Sequence, residues 1–422
     1  MSAGDPLRVL FATIAHNTHF YSMVPLAWAL RAAGHEVRVA STPGMADVIT
    51  RAGLTAVPVG RDPAPQALRT EHAPGSPTVD FTDLLPGPDH EWLLGFHTML
   101  VPTFFATLND DALVDGLVEA ARAWEPDLVV WEPLTLAGGV AATVSGAAHA
   151  RLLWGPDVLG LARQQFLEVL ATQPPERRDD PLAEWLGWTL ERHGHEFSET
   201  VVRGHWVIDQ EPPSVRLPVD QRTVPMRYVP YNGPAVVPDW VFERRHPRRV
   251  CVSLGVSARS GRGSSTVGVG DLLAALSEVD TEVVATLDAT QRQGLGAVPD
   301  NVRLVDFVPL HVLLPTCSAI VHHGGAGTWG TALRYGVPQI LVPEIWDAPL
   351  RGRLLSDLGA GLVQSVGELT PDSLRDKVMR ALDDPALAGA ARALQTELAA
   401  EPAPTEVVGE LERLTRRYRE GS

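Results

Sequence analysis

Cysteine is scarce in this chain, and long apolar segments are absent. Its 422 residues include two cysteines, Cys251 and Cys317, both in apolar runs, which argues against a disulfide framework or a cysteine metal site and favours a reducing compartment. No apolar stretch reaches about 18 residues without a charge or a breaker. The short polar start lacks the basic and apolar segments of a signal peptide. These absences predict a cytoplasmic protein that does not span a membrane.

A positive charge balance is also missing. The chain carries 35 basic and 51 acidic residues, for a formal net charge of −16. Phosphates of nucleic acids and anionic membranes would repel such a surface, so neither is an expected partner. A phosphorylated small ligand is still compatible, because it depends on a local site. The length exceeds one ordinary core and suits two domains of roughly 200 residues each.

Both halves of the chain begin with a short apolar run, a loop and a helical pattern. In the first half, residues 7–14 predict a strand, residues 15–21 a polar loop, residues 22–33 a helix and residues 36–40 the next strand. The second half restarts with strands predicted at residues 249–254, 282–287, 302–307, 319–322 and 339–342. Strand–helix–strand units form right-handed crossovers, so the fold class is α/β with parallel sheets.

The predicted domain organisation follows from composition. Residues 229–238 are rich in proline, contain glycine and lack periodicity, which is typical of a linker. The predicted units are a first domain at residues 1–228, a linker at 229–245, a second domain at 246–405, and a helix at 406–422 expected to pack back onto the first domain. Residues 61–90 are irregular and are a candidate loop over the site.

Residues 322–328, with the sequence HHGGAGT, lie between a predicted strand and a predicted helix. Glycines let the backbone approach a phosphate, and the free N–H groups of a helix start point towards it. Thr328 adds a hydroxyl, and a histidine donor can stand where other enzymes use magnesium. No Asp-x-Asp pair lies beside the segment. We therefore predict a metal-free diphosphate site, with a glycine turn that merely closes a loop as the alternative.

The same segment resembles the donor motif of GT-B glycosyltransferases that decorate antibiotics and plant metabolites. The resemblance covers most of the chain and is closest to the actinomycete enzymes that attach aminodeoxysugars to macrolides, such as desosaminyl and mycaminosyl transferases. The sequences that carry it are HNTHFY at 16–21, VPLAWALRAAGHEV at 24–37, ARLLWGPD at 150–157 and YNGP at 231–234. It implies two Rossmann-like domains facing across a cleft, an N-terminal acceptor-binding domain at residues 1–228 and a C-terminal nucleotide-sugar-binding domain at residues 246–405.

The resemblance also implies a function. It is the inverting, metal-independent transfer of an (amino)deoxysugar from a dTDP-sugar to a hydroxyl of a macrolide or similar polyketide, with no further cofactor. Members of this subgroup typically require an auxiliary protein with a haem-monooxygenase-like fold, so such a partner is implied. A nucleotide-sugar 2-epimerase of the same fold and a non-catalytic nucleotide-sugar sensor are the alternatives. The aromatic side chains of the first half and the loop that holds His19 argue against the epimerase.

Several residues are candidates for binding the donor. Aligned on the motif, the diphosphate-contacting positions fall on His323, Gly325, Gly327 and Thr328, with His322 and Ala326 as neighbours within the segment. Gly255 and Ser257 follow the first strand of the second half and are expected to reach the diphosphate from the other side, with an ordinary turn as the alternative. The resemblance implies that the backbone of Val308 contacts the pyrimidine.

The sugar is expected to meet Glu344 and Asp347, which follow a predicted strand and can accept hydrogen bonds from hydroxyls. For Asp347 the alternative is a helix cap. The wider family has Asp-Gln where this chain has Asp347-Ala348, so one hydrogen-bonding partner is missing. A deoxygenated sugar suits such a site better than glucose, and its cationic amine, if present, would face Asp347 or Glu344.

Removal of the acceptor proton needs a base, and histidine is the usual choice near neutral pH. The spacing of His19, eight residues before Ala27 and eleven before Leu30, matches the catalytic histidine of the family. His16 is the alternative base, and a solvated or capping histidine is the alternative role. In related enzymes an aspartate at the end of a later strand orients the base. Here Glu132 holds that position and is one methylene longer.

Large apolar side chains are concentrated in the first half. They suit a bulky apolar acceptor, because burial of apolar surface favours binding. Ordinary core packing is the alternative for each of them. The candidate acceptor contacts are Trp92, Phe96 and Trp154.

Overall fold

The structure is a computed structural model that describes residues 5–62, 80–243, 245–253, 269–287, 289, 292, 295, 297–343 and 346–419. Within these ranges the chain forms two parallel sheets flanked by helices, with apolar clusters packed on the faces of each sheet. The α/β fold class predicted from the sequence is confirmed. None of the described helices is long and apolar enough to cross a membrane.

The first sheet has the strand order β3-β2-β1-β4-β5-β6-β7, and every pairing is parallel. Its strands are β1 (Arg8–Ala12), β2 (Glu36–Ser41), β3 (Thr55–Pro58), β4 (Leu128–Trp131), β5 (Ala148–Leu152), β6 (Trp206–Asp209) and β7 (Thr223–Pro225). The helices of this half are α1 (Asn17–Ala32), α2 (Ala46–Arg51), α3 (His90–Leu100), α4 (Ala106–Leu108), α5 (Asp111–Trp124), α6 (Leu136–Ser145), α7 (Val158–Ala171), α8 (Pro181–Glu191) and α9 (Glu199–Arg203).

The second sheet has the order β10-β9-β8-β11-β12-β13 and is also parallel throughout. Its strands are β8 (Arg249–Ser253), β9 (Glu282–Thr286), β10 (Val302–Val305), β11 (Ala319–His322), β12 (Gln339–Leu341) and β13 (Gly361–Val363). The described helices of this half are α10 (Val269–Ser277), α11 (Leu310–Leu313), α12 (Ala326–Tyr335), α13 (Ala348–Asp357), α14 (Pro371–Asp383), α15 (Pro385–Ala400) and α16 (Pro404–Arg419).

Each sheet reverses its winding once, between β1 and β4 in the first sheet and between β8 and β11 in the second. Open parallel sheets bind ligands outside the carboxyl ends of the strands at such a point. The register pairs Ala12 with Trp131 and Ser253 with His322, so the neighbouring strands end at the same level. Residues that directly follow these strands therefore share the ligand-binding edge.

Helix α1 begins at Asn17, five residues earlier than the sequence pattern predicts, so the expected loop at residues 15–21 is wrong in its second part. His16 is extended and is the residue before the helix, and its carbonyl accepts from the N–H of Phe20 at 3.2 Å. Ser22, the expected start, instead donates its hydroxyl to the His19 carbonyl at 2.7 Å. Pro25 lies inside the helix. A proline normally marks a first turn, but burial of Phe20 and Met23 keeps the earlier turn helical.

The connection between the halves and the last helix both link the two domains. Residues 229–238 form neither helix nor strand, whereas Trp240 and Val241 already pack into the second domain. Helix α16 returns to the first domain, where Leu411 and Leu414 are fully buried in the core formed around β1 and α1. His35 lies 3.2 Å from Glu412 of this helix. The end of the chain is thus part of the first domain's packing.

Candidate active site

A solvent-open cleft with about 960 Å³ of empty space lies between the two domains. The first domain and the linker contribute Thr18, Tyr21, Ser22, Trp154, Tyr228, Tyr231 and Asn232. The second domain contributes Ser253, Thr286, Phe307, Val308, Leu310, His323, Gly325, Ala326, Gly327 and Thr328. The second-domain walls are the carboxyl ends of its strands together with the glycine segment, which agrees with the position of the winding reversal.

The glycine segment forms the N-terminus of helix α12. Gly325 is the residue before the helix, and its carbonyl accepts from the N–H of Trp329 at 2.9 Å. A Cβ atom at Gly325 would lie 2.7 Å from Nε2 of His323, so a larger residue would displace that ring. Thr328 is in the first turn and is almost fully buried. The first N–H groups of a helix have no intrahelical partner, so this end of α12 offers donors to an anion in the cleft.

His322 does not face the cleft, which corrects its assignment as a donor-binding residue. Its side chain is fully buried in β11. Nδ1 accepts from the N–H of Gly324 at 3.1 Å, and Nε2 donates to Oε1 of Gln339 at 2.9 Å. Burial, together with the charge of His323, lowers the pKa of His322 to about 3. The ring is therefore neutral and holds the turn in place, because both nitrogens are already used.

Val308 lines the cleft although only 2% of the residue is exposed, and the contact of its backbone with the pyrimidine stays a prediction. Phe307 beside it is 45% exposed and also lines the cleft. Gly255, Ser257 and Glu344 lie outside the described residues, as do residues 63–79 of the candidate loop. Among the residues that are described, no group of three or more His, Cys, Asp or Glu side chains is arranged to hold a metal ion.

Asp347 is not an isolated negative charge. Its carboxylate is bound by the guanidinium of Arg351, one turn further along α13, and both side chains are almost fully buried. Burial raises the pKa of Asp347, although the charges of Arg351 and His19 partly oppose this effect. The acid therefore already has one cationic partner, and its expected contact with a cationic amine of the sugar stays a prediction. Its side chain makes no helix-capping hydrogen bond.

His19 and Glu132 are brought together by the adjacent strands β1 and β4. Nδ1 of His19 lies 3.0 Å from Oε2 of Glu132, so the extra methylene of glutamate still allows direct contact. A carboxylate oxygen only accepts hydrogen bonds, so Nδ1 is the donating nitrogen in this contact, and Nε2 is the ring nitrogen that the contact does not use. His19 is 16% exposed and packs against Trp154, with ring centroids 4.9 Å apart. Its neighbours Thr18 and Trp154 line the cleft.

Glu132 is fully buried but well supplied with donors. Besides His19, its carboxylate accepts from the N–H of Leu134 and the indole Nε1–H of Trp154, each at 3.0 Å, and from the hydroxyl of Thr135. Burial opposes ionisation, yet the charge of His19 and these hydrogen bonds outweigh it and lower the pKa of Glu132. The carboxylate is therefore ionised. His16 differs, because burial and the nearby charge of His19 lower its pKa to about 4.

The three acceptor candidates separate in the structure. Trp154 lines the cleft and donates to Glu132. Phe96 is buried in the first domain's core, with Trp92 stacked on it at a centroid distance of 5.4 Å. Neither Trp92 nor Phe96 is among the residues that line the described cleft, and their role as acceptor contacts stays a prediction. The apolar face of α3 is satisfied by its own domain, which the sequence pattern does not distinguish from a ligand face.

Several cleft residues were not predicted. Ser253 and Thr286 end β8 and β9, and the Thr286 hydroxyl lies 3.2 Å from that of Ser253. Strand order would have indicated both, because β8 flanks the winding reversal. Asn232 of the linker accepts from His311, with a distance of 2.8 Å to Nδ1. Tyr228 donates to the Gly327 carbonyl at 3.2 Å, and burial raises its pKa to about 12. No local signal in the sequence indicates these linker contacts.

Two parallel α/β domains, with a glycine-rich helix start lining the cleft between them and a histidine–carboxylate pair beside the cleft residues Thr18 and Trp154, define a GT-B glycosyltransferase. The chain belongs to the family described as Erythromycin biosynthesis protein CIII-like. The N-terminal domain model of that family matches residues 28–255, and its C-terminal domain model matches residues 270–414.

Individual proteins agree with this membership. The 10-deoxymethynolide desosaminyltransferase of Streptomyces venezuelae is 52% identical over 418 residues, which are 98% of each chain. The tylactone mycaminosyltransferase of Streptomyces fradiae is 52% identical over 425 residues, or 99% of this chain and 94% of that one. The crystal structure of glycosyltransferase VinC in complex with dTDP has a TM-score of 0.85 at 42% identity, covering 97% of this chain and 100% of VinC.

Proposed function

We propose that this glycosyltransferase moves a deoxysugar, with inversion, from a dTDP-sugar to a hydroxyl of a macrolide or similar polyketide. The observation that carries the proposal is the contact of His19 with Glu132 beside Thr18 and Trp154, two residues that line the same cleft as the α12 N-terminus. The names of the relatives support the substrate class, since they are transferases of desosamine and mycaminose to macrolide aglycones, and VinC was crystallised with dTDP.

The donor diphosphate would lie on the first turn of α12. The backbone N–H groups there, the hydroxyl of Thr328 and the ring of His323 are the available donors. They would stabilise the negative charge that develops as dTDP leaves. We propose that this set makes the transfer independent of a metal ion. The backbone of Val308 and the exposed ring of Phe307, both in the cleft wall, would contact the pyrimidine of the donor.

The chemical step would need one proton transfer. Nε2 of His19 removes the proton of the acceptor hydroxyl while the oxygen attacks the anomeric carbon, and the bond to the diphosphate breaks on the opposite face. The carboxylate of Glu132 fixes the Nδ1–H tautomer and stabilises the imidazolium that forms. Attack opposite the leaving group inverts the anomeric centre.

The sugar subsite favours few hydroxyls. Asp347 has one cationic partner in Arg351, and Ala348 cannot hydrogen-bond through its side chain. A sugar with several hydroxyls would leave some of them unpaired, which costs binding energy. A deoxysugar avoids this cost. If the sugar carries an amine, its recognition would not rely on an unpaired charge at Asp347.

The proposal also includes a protein partner and a cellular location. An auxiliary protein with a haem-monooxygenase-like fold is proposed as an activator, on the strength of the resemblance to macrolide aminodeoxysugar transferases. A cytoplasmic location is proposed because the chain has only two cysteines, Cys251 and Cys317, both in apolar runs, as expected in a reducing compartment.

The proposal is tested by transfer assays with a panel of dTDP- and UDP-sugars and candidate macrolactones, with and without the auxiliary protein, read by mass spectrometry. His19→Ala is expected to keep dTDP binding by calorimetry and to lose about 100- to 10,000-fold in transfer rate, the usual contribution of a general base. His246→Ala, on the surface, is the control. Transfer by His19→Ala at the wild-type rate would show that His19 is not the base, and loss with His16→Ala alone would assign that role to His16.

A further inference from the structure

Arg351 is a charged side chain that is buried between the two domains, with 1% of its surface exposed. Nη1 donates to the carbonyl of Gly324 at 2.6 Å, and Nη2 binds the carboxylate of Asp347. Burial of a guanidinium is costly unless its partners are well placed. Both partners lie on the donor side of the cleft, one in the glycine segment and one at the predicted sugar subsite.

The other side of the guanidinium faces the first domain. Its Cζ atom lies 5.8 Å from the ring centroid of Trp154. The Nε1–H of that tryptophan donates at 3.0 Å to Oε2 of Glu132, the same oxygen that contacts His19. A continuous series of contacts therefore leads from the glycine segment to the predicted base through Arg351.

Gly155 shows that the fit between the domains is close. A Cβ atom at this position would lie 2.3 Å from Nη2 of Arg351. An arginine end group on the surface would simply move away, but this one is buried and held on the donor side by Gly324 and Asp347. The space next to Gly155 is therefore filled by the guanidinium itself.

A second tryptophan flanks Arg351 from its own domain. The ring centroid of Trp329 lies 6.0 Å from Cζ, and its Nε1–H donates at 2.8 Å to Glu211, a buried carboxylate of the first domain. Arg351 thus lies near two indoles, each of which donates to a different first-domain carboxylate. A planar guanidinium held in this way has little freedom to reorient.

We propose that Arg351 is a positioning residue that couples the glycine segment of the donor site to the His19–Glu132 pair. The inference rests on the proposed role of His19 as the base. A displacement of Gly324 or Asp347 would move the guanidinium against Trp154, which directs its N–H to Glu132. The catalytic base, His19, is then aligned when Gly324 and Asp347 are in their correct positions. A small misalignment of the base is enough to slow a transfer reaction.

Kinetics of matched variants test this coupling. Arg351→Met is expected to lower kcat by about a hundredfold, as misplacement of catalytic groups does, with a smaller loss of dTDP affinity by calorimetry. Arg351→Lys keeps the positive charge but loses the planar guanidinium whose two end nitrogens bind Gly324 and Asp347. It is expected to restore only part of kcat. Arg353→Met, in the same helix but exposed, is the control and is expected to keep kcat.

Double variants separate coupling from independent damage. Trp154→Phe removes the N–H that donates to Glu132, and its kcat loss should not multiply with that of Arg351→Met, because both break the same series of contacts. Gly155→Ala should lower kcat in the wild-type background and have little further effect with Arg351→Met. Methionine lacks the guanidinium group and is more flexible than arginine, so it leaves room for the methyl group added at position 155.

The outcomes are distinct. A higher donor KM with unchanged kcat in Arg351→Met, or fully multiplicative losses in the double variant, would overturn the coupling. Should Arg351→Met fail to fold, Gly155→Ala decides: reduced kcat at wild-type stability supports the proposal, and unchanged kcat overturns it. If the wild-type chain transfers no sugar, or His19→Ala transfers at the wild-type rate, the proposed function fails instead.

Discussion

At the scale of single residues, Glu132 links the largest number of site groups. Its carboxylate meets His19, Trp154, Thr135 and a backbone N–H while being fully buried. The position of this acid at the end of β4 follows from the sequence. The contact of Glu132 with His19 cannot be inferred from the sequence, because it depends on where α1 begins and on how the other hydrogen-bond donors orient the glutamate side chain.

Glu132→Gln isolates the role of the charge. A glutamine has nearly the same shape and can still accept from His19 and Trp154, but it cannot stabilise an imidazolium as a carboxylate does. We expect kcat to fall by about a hundredfold or more, with dTDP affinity unchanged by calorimetry. Glu125→Gln, at an exposed position, serves as the isosteric control. Equal kcat for Glu132→Gln and wild type would exclude a role for the charge in the chemical step.

At the scale of elements, the glycine segment and helix α12 form a unit that was predictable because it is local. A strand that ends in small residues before a helical pattern is read directly from the chain, and the structure has β11, the turn and α12 in that order. The side to which each histidine turns was not predictable. His322 alternates inward from the strand, while His323 lines the cleft.

Gly325→Ala tests this element. The added methyl would lie 2.7 Å from Nε2 of His323 and would push the ring out of place. We expect dTDP affinity, measured by calorimetry, to fall by about tenfold, or about 1.4 kcal/mol of binding free energy. Gly389→Ala in helix α15 is the matched control, since an added methyl there meets no atom within 4 Å. If both variants bind dTDP equally well, the glycine is not required for the shape of the phosphate site.

At the scale of the whole molecule, a buried cluster of charges joins the end of β6 to the last part of the chain. Asp209 is 7% exposed, accepts from the N–H of Glu211 at 2.9 Å and lies 3.5 Å from Arg216, which also binds Glu401. Burial raises the pKa of Asp209 from 3.8 to about 7, although the Glu211 N–H and Arg216 oppose it. The acid therefore favours its neutral form in the folded protein.

This shift predicts a pH dependence of stability. Well below pH 3.8 the acid is protonated in both states and contributes no difference. Between its unfolded and folded pKa values the unfolded chain loses the proton first, so the unfolding free energy falls as pH rises, by at most about 1.4 kcal/mol per pH unit. Asp209→Asn keeps the acceptor for Glu211 and should flatten the decline of Tm from pH 5 to 7. An unchanged slope, equal to that of the exposed control Asp83→Asn, would contradict the assignment.

The sequence by itself determined the alternation of strands and helices, the two α/β domains and the segments at which a donor and a base would lie. These features depend on local periodicity, on the positions of glycines and on the order of elements, and all three can be read directly from the sequence. Strand β11 has the predicted bounds because its apolar pattern and end signals are contiguous.

Only the tertiary structure decided which side chains meet. Asp347 forms an ion pair with Arg351, and Trp92 and Phe96 pack in the core of the first domain. Trp154 lies between Glu132, which contacts His19, and the guanidinium of Arg351. Each of these outcomes depends on burial and on contacts between residues far apart in the chain or on facing surfaces. A local pattern gives an apolar or charged residue its type, but its partner is fixed only when the two domains pack.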